Sequence, residues 1–501
     1  MNTLRPLLFL FLAALLLGAC RRDRLFTDDP GVRLEFSLDT MLFDTIFTTV
    51  PFSVTKRFVA RNLENRAVRV NIVLEGGGPS PFRINVDGVS GTSFEGVEIL
   101  GGDSVYVFVE ASLDQTGQNS PLIHEDHIVF LTNGNEQKVL LVAWGQDAHF
   151  FFPDRFIQGF PPFSIIAGGT DQNGNTICET VTWPNDKPYV IYGYAAVDSC
   201  STLQIQPGVR VHVHGGGGLW IYRWGRILAQ GSLEQLITFQ SDRLEPFYSE
   251  LPGQWDRIWI NDGPAGQDNV FEHVLIKNAL IGIQCENWPL VPDAPTSAAK
   301  VVLNNVRIRN CSAAGILSRN FRITSNNLLV GDCGQYAVAL TGGGEYFFNH
   351  STIANYWNYG IRQTPAFVMT NTYADITGNV QVREILNSQF LNGIIYGGNP
   401  NEFLLEFNDA VAPQFTFDRF ILRTDQATSN LDWFPFQDRI WRNIEPGFVS
   451  SVERNFRLTQ GAFARNRGTS STIEAIQDIN GDMRNCDGEG FDLGCYEWCP
   501  D

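Results

Sequence analysis

Two short stretches of this chain bring acids and guanidiniums together. Asp242, Arg243 and Glu245 lie in one predicted loop, and Asp256, Arg257 and Asp262 follow soon after. Paired carboxylates on either side of a glycosidic bond, about 5 Å or about 6.5–9.5 Å apart, can hydrolyse it. Arg243 or Arg257 could instead neutralise a substrate carboxylate while a base removes the neighbouring proton. The structural alternative, and the favoured one, is an Asp–Arg ladder that ties loops to the body of the protein. His212 and His214 stand at i and i+2 on one predicted strand, so they share a face and could begin a metal site. No third ligand stands at a telling distance, which favours surface or groove histidines. His124-Glu125-Asp126-His127, placed in a loop, lacks the spacing of a zinc helix. Trp220, Tyr222 and Trp224 alternate on a predicted strand, with Trp259 expected beside them. Flat exposed rings suit a sugar face or a protein partner; otherwise an adjoining segment covers them.

Positioning such groups takes a large scaffold, and the composition allows one. The chain has 501 residues, of which 44% are hydrophobic, 12% aromatic and 18% charged, with 47 glycines. This mix favours strands and tight turns. The formal net charge is −18 with no basic stripe, which argues against a nucleic-acid partner. No CxxC pair occurs, so a zinc ribbon is not expected. Cys178 with Cys200 is the preferred disulfide, and two among Cys486, Cys495 and Cys499 could staple the C-terminus.

Arg5 precedes an apolar run from Leu7 to Leu17, and Leu17-Gly18-Ala19-Cys20 follows. The run is shorter than the ~20 residues a membrane-spanning helix needs. Its end resembles a lipobox, which implies a signal peptide at 1–19 and a lipid, palmitate included, on Cys20. Residues 20–33 are then a tether, and the membrane is a partner through acyl chains. Arg21-Arg22-Asp23 resembles an export signal of surface lipoproteins; the expected location is the outer membrane, facing the cell surface, with the periplasmic face as the alternative.

Between 34 and 148, short alternating runs are separated by turn pairs such as Asp87-Gly88 and Asn133-Gly134, which predicts an antiparallel β-sandwich. Val54-Thr55-Lys56-Arg57-Phe58 with Arg61-Asn62 and Ala67-Val68-Arg69-Val70 resembles the start of bacterial Ig-like domains. Residues 149–185 are rich in proline and weak in periodicity, and are expected to be a linker. From 186 to 477 the chain repeats. Val274-Leu275-Ile276-Lys277-Asn278 matches Val306-Arg307-Ile308-Arg309-Asn310, and Asn310, Asp332 and Asn355 follow at spacings of 22 and 23 residues. Cys311 and Cys333 share one register. Such repeats predict a solenoid whose equivalent residues stack in columns. Leu203-Gln204-Ile205-Gln206-Pro207-Gly208-Val209 and Gly225-Arg226-Ile227-Leu228-Ala229-Gln230-Gly231 resemble the opening coils of right-handed parallel β-helix proteins. The terminal Asp478-Ile479-Asn480-Gly481-Asp482 and Asp492-Leu493-Gly494-Cys495-Tyr496-Glu497 resemble the last coil of secreted β-helices, so 478–501 is expected to cap the solenoid. The first of these two runs is also a partial likeness of a calcium loop, but its glycine comes too early; a cap turn is the favoured reading with bound calcium as the alternative, and no other cofactor is expected.

With Phe43 to Val50, Pro188 to Gly193 and Gly253 to Asn261, most of the chain resembles a family of β-helix-repeat lipoproteins of gram-negative bacteria. That resemblance implies the fold and no activity. Polygalacturonase-like enzymes on this fold carry a set of Asn-x-Asp, Asp-Asp, Gly-His-Gly and Arg-x-Lys motifs, and the set is missing here. Two functions therefore stand: a non-enzymatic surface scaffold that binds a glycan or a protein partner, which is preferred, and a polysaccharide lyase or glycoside hydrolase.

Overall fold

The computed structural model describes residues 25–48, 55–114, 122–470 and 476–500. Cys20 and its neighbours lie outside them. The chain divides into two compact units at Asp147 and Ala148. Among the described residues, helix is limited to two single turns, Pro246–Tyr248 and Gln437–Arg439; strands make the rest of the regular structure.

The first unit is two five-stranded sheets around one core. Alternation does the work: Val68–Leu74 buries every second residue completely, as a sheet with one wet face requires. Phe58 of one sheet meets Phe130 of the other with ring centroids 6.0 Å apart. Asn133 and Gly134 both take positive φ, 49° and 85°. Two such residues make the hairpin turn that matches strand twist, between Leu122–Thr132 and Asn135–Gln146. The described part of the expected tether is packed rather than loose, because Phe26 bridges Ala67 and Val32 is buried in the core.

The second unit is an all-parallel solenoid of 22 strands, three to a coil in its regular part. His149–Phe151 pairs with Tyr189–Ile191, which pairs with Arg210–Val213, and so on up one side. The inner residues of this first side form the column Tyr189, Val211, Phe239, Ile276, Ile308, Val330, Ile353, Ile395 and Leu422. All of them are buried, and each aliphatic member contributes roughly 1.5–3 kcal/mol by leaving water. Register places Arg309 beside Gly331 and Gly331 beside Ala354, so Asn310, Asp332 and Asn355 stand in one column. Asn278, Asn310 and Asp332 take φ of 66°, 55° and 53°. Short polar side chains tolerate this left-handed corner better than others do. Cys311 and Cys333 stack directly inside it, fully buried.

Three expectations about boundaries change. Residues 149–185 are not a linker: they supply His149–Phe151, Phe163–Ala167 and Thr180–Trp183, which are the first coil. These strands have three to five residues, too few to show a period. A disulfide between Cys178 and Cys200 ties this coil to the next, and Cys486 is joined to Cys499. Second, the described part of 478–501 does not close the end of the solenoid. It runs along the outer side of the first face, where Arg307 Nη2 donates to Ile479 O at 2.8 Å and Arg484 Nη2 to Asn327 Oδ1 at 2.6 Å. Cys495 N donates to Thr352 Oγ1 at 2.9 Å, and Gly494 N donates to Asn392 O at 2.8 Å. The last coil is covered instead by Trp433 and Phe434, whose rings lie 5.2 Å from Phe415 and 5.8 Å from Phe417. Third, the solenoid's parallel sheet ends at Ile440–Arg442, well before residue 477.

Candidate functional site

The aromatic candidates do not form one exposed row. Trp220 and Trp259 stack on successive coils at 4.9 Å, on the outer side of the second face. Phe160 stacks on Trp220 at 5.7 Å, Trp288 meets Trp259 edge-on at 5.0 Å, and both indoles are buried. Their N–H groups donate to Asn261 and Glu286, each at 2.8 Å. The strand Gly218–Ile221 stops before Tyr222, and Trp224 turns away with φ 66°; the alternation read from sequence runs past the strand end. What remains open is a cavity of about 210 Å³ lined by Phe160, Phe163, Ile165, Ala196, Asp198 and Tyr222, with Trp220 behind.

The acid and arginine candidates form a ladder. Asp256 accepts from the Tyr194 hydroxyl and from Arg257 Nε at 2.9 Å. Arg257 also donates to Gln284, which donates to Glu286 at 2.6 Å; Arg319 reaches the other oxygen of Glu286 at 2.6 Å. Arg243 pairs with Glu245 at 3.1 Å and lies 3.7 Å over the ring of Tyr248. Asp262 takes Arg223 at 3.2 Å. Among the described residues no hydrogen bond or ion pair joins the Asp242–Glu245 loop to Asp256 and Arg257, so the two groups do not make one constellation.

His212 is buried and bonded to Ser241 O at 3.0 Å, and burial brings its pKa down to about 4. His214 donates to Asp242 at 2.7 Å, and this hydrogen bond holds its pKa above the usual imidazole value against partial burial. Because the folded pKa is raised, this tie is fully present below about pH 6.5 and is lost as pH rises through the folded value. Labelled-histidine NMR should give a His214 midpoint above that reference, and Asp242→Asn should lower it; an unmoved midpoint would contradict the pairing. Among the described residues no three His, Cys, Asp or Glu side chains are grouped to hold a metal ion. His124 to His127 lie on the strand Leu122–Thr132 and not in a loop. Asp478 is engaged as a turn residue: Oδ1 accepts from Asn480 N and Asp482 N, and Oδ2 from Glu497 N.

A site that the sequence did not announce lies on the outer side of the first face. There Val306 and Ile308 point inward and Arg307 and Arg309 outward, the period-two rule of a strand. The next coil sets Leu329 beside Arg307 and Gly331 beside Arg309. Gly331 gives the floor its depth, since a Cβ there would come within 2.4 Å of Ala354 O. One wall is Glu250, from the loop after Tyr248. It accepts from Arg309 at 2.5 and 3.2 Å, from Lys277 at 3.2 Å and from Asn310 Nδ2 at 2.5 Å. The other wall comes from far along the chain: Glu453, Arg454, Phe456 and Tyr496. Arg454 Nε pairs with Asp332 at 2.9 Å, and Tyr359 at the rim donates its hydroxyl to Glu250 O at 2.8 Å. The enclosed volume is about 370 Å³. Asp332 is only 1% exposed, and burial pushes its carboxyl above the usual range although Arg454 pulls the other way. Oδ1 of Asp332 and Nη1 of Arg307 are buried and make no hydrogen bond among the described residues.

The signal legible in the sequence was the outward pair Arg307 and Arg309 above a strand glycine. The walls were not legible, because residues about 200 positions apart meet there. The molecule thus belongs to the all-β proteins that join an antiparallel sandwich to a parallel β-helix, here with a lateral cleft. No protein-family model matches this chain, and no curated protein matches it either.

Proposed function

We propose that this chain is a lipoprotein moored through Cys20 to the outer membrane, facing the cell surface, whose solenoid binds a glycan without cleaving it. The supporting observation is the state of the acids in the cleft. Glu250 is held by Arg309, Lys277 and Asn310, and Asp332 is held by Arg454 while buried. A glycosidase needs one carboxylic acid and one carboxylate free to approach the bond from two sides. Here Glu250 and Asp332 are spent on ion pairs and the third acid, Glu453, stands exposed on one wall, while the guanidiniums and the half-buried Tyr496 leave donors and part of a ring, as sugar recognition requires. The lipid and the location rest on the resemblance of Leu17-Gly18-Ala19-Cys20 to a lipobox, and the kinship proposed is with the β-helix-repeat lipoproteins.

A polysaccharide lyase or glycoside hydrolase is the second reading, because Glu250 and Asp332 line one cleft beside arginines. Incubating the purified chain with a glycan array and with soluble polysaccharides separates the two. Retention without new reducing or unsaturated ends is expected. Product from any polymer would overturn the binding-only reading, and failure to retain any glycan would move the proposal to a protein partner.

A further inference from the structure

Among the described residues, Arg307 is the one arginine of the cleft that has no carboxylate partner. Arg309 and Arg454 are neutralised by Glu250 and Asp332. Arg307 instead donates from Nη2 to two neutral oxygens, Ile479 O at 2.8 Å and Asn480 Oδ1 at 2.9 Å. Among the described residues its Nη1 is buried and meets no hydrogen-bond partner. Its strand neighbours above and below are Leu329 and Leu275, so no charge on the sheet itself answers it. Pinning Nη2 to the C-terminal segment fixes the plane of the guanidinium, and Tyr496 stands close enough for the Arg307 charge to draw down a phenol that burial otherwise raises. A fixed guanidinium that lines the cleft without a counter-charge, beside a ring, is a receptor for a carboxylate; charge-assisted bonds of this kind are roughly twice as strong as neutral ones.

We infer that the glycan taken by this cleft is acidic, and that Arg307 binds its carboxylate. The inference rests on the glycan-binding reading above. The formal charge of −18 does not prevent this, because repulsion from distant acids is screened beyond about 8 Å at physiological salt, whereas a contact in the cleft is not.

The test uses the whole chain and titrates it with uronate- and sialate-bearing oligosaccharides, with their carboxyl-reduced counterparts, and with neutral oligosaccharides. Carboxyl reduction should weaken binding about ten- to hundred-fold, the worth of a charged hydrogen-bonded contact. Arg307→Met should abolish that preference, and Arg307→Lys, which keeps the charge and loses the fork, should retain part of it. Should Arg307→Met fail to fold, the carboxyl-reduction series on the unaltered chain and Arg307→Lys still decide the matter. Reduced or neutral glycans that bind as tightly as the acidic ones would overturn the acidic ligand and leave the cleft reading standing. A preference that survives Arg307→Met would overturn the role of Arg307. Binding by no member of the panel would overturn both readings.

Discussion

Replacing Phe417 by alanine is expected to lower the stability of the solenoid by about 3–5 kcal/mol, the usual cost of deleting a buried ring and leaving a cavity. Phe417 is fully buried, and its ring stacks on Phe390 at 4.3 Å. Phe403 and Phe420 meet it edge-on at 5.2 and 5.1 Å, and Phe434 lies over it from the covering segment. The position therefore joins the last inner coils to the residues that shield them. In a solenoid each coil leans mainly on its neighbours, so the loss should be concentrated toward the C-terminal coils. Guanidinium unfolding followed by hydrogen exchange gives both the size and the place. Phe156→Ala is the control: that ring is 75% exposed, and its loss should change stability by less than about 0.5 kcal/mol. Equal effects from the two substitutions would mean that the phenylalanine stack is not the core described above.

Arg362→Leu should have a similar effect for an electrostatic reason. Arg362 and Glu402 form an ion pair with side chains 3% and 0% exposed. Nη1 of Arg362 reaches Glu402 Oε2 at 2.7 Å, and Ala366 N donates to the same oxygen at 2.9 Å. Asn399 N donates to Oε1 at 2.7 Å, so the pair clamps the loop before Phe367–Thr370 to the one before Phe403–Glu406. Removing the cation leaves a carboxylate deep in the protein with no opposite charge, which typically costs about 3–5 kcal/mol. The double change Arg362→Leu with Glu402→Leu should recover part of that loss, since it removes the orphaned charge but leaves Ala366 N and Asn399 N without their acceptor. Thermal unfolding of the two single variants and the double variant checks this. A double variant no better than Arg362→Leu would show that shape, and not charge, governs the site.

The solenoid could be read from sequence because its rules are local and repeated. A corner residue able to take positive φ recurs at Asn278, Asn310 and Asp332, and an inward apolar residue recurs two positions before each. The sandwich was legible for the same reason, through alternation and hairpin pairs such as Asn133-Gly134. Reading failed where strands were too short to show alternation, as in Phe163–Ala167, or where alternation outran the strand, as at Trp224. It also failed for the C-terminal segment. A motif that resembles a terminal coil says which residues pack, and here Leu493 and Cys495 are indeed buried; it does not say against which surface they pack. The cleft was least legible of all. Its floor is local, but Glu250, Arg454 and Tyr496 arrive from three separate segments, and nothing in the spacing of those residues points to a common place.

Ligand is expected to enter over Arg307 and Gly331, between Glu250 and Arg454. Hydrogen exchange of the whole chain, with and without the tightest-binding glycan from the array, tests it most directly. Protection should appear in peptides covering 307–310, 329–332, 453–457 and 496. Protection confined to the aromatic cavity around 157–165 and 220–222, or to the sandwich, would contradict it.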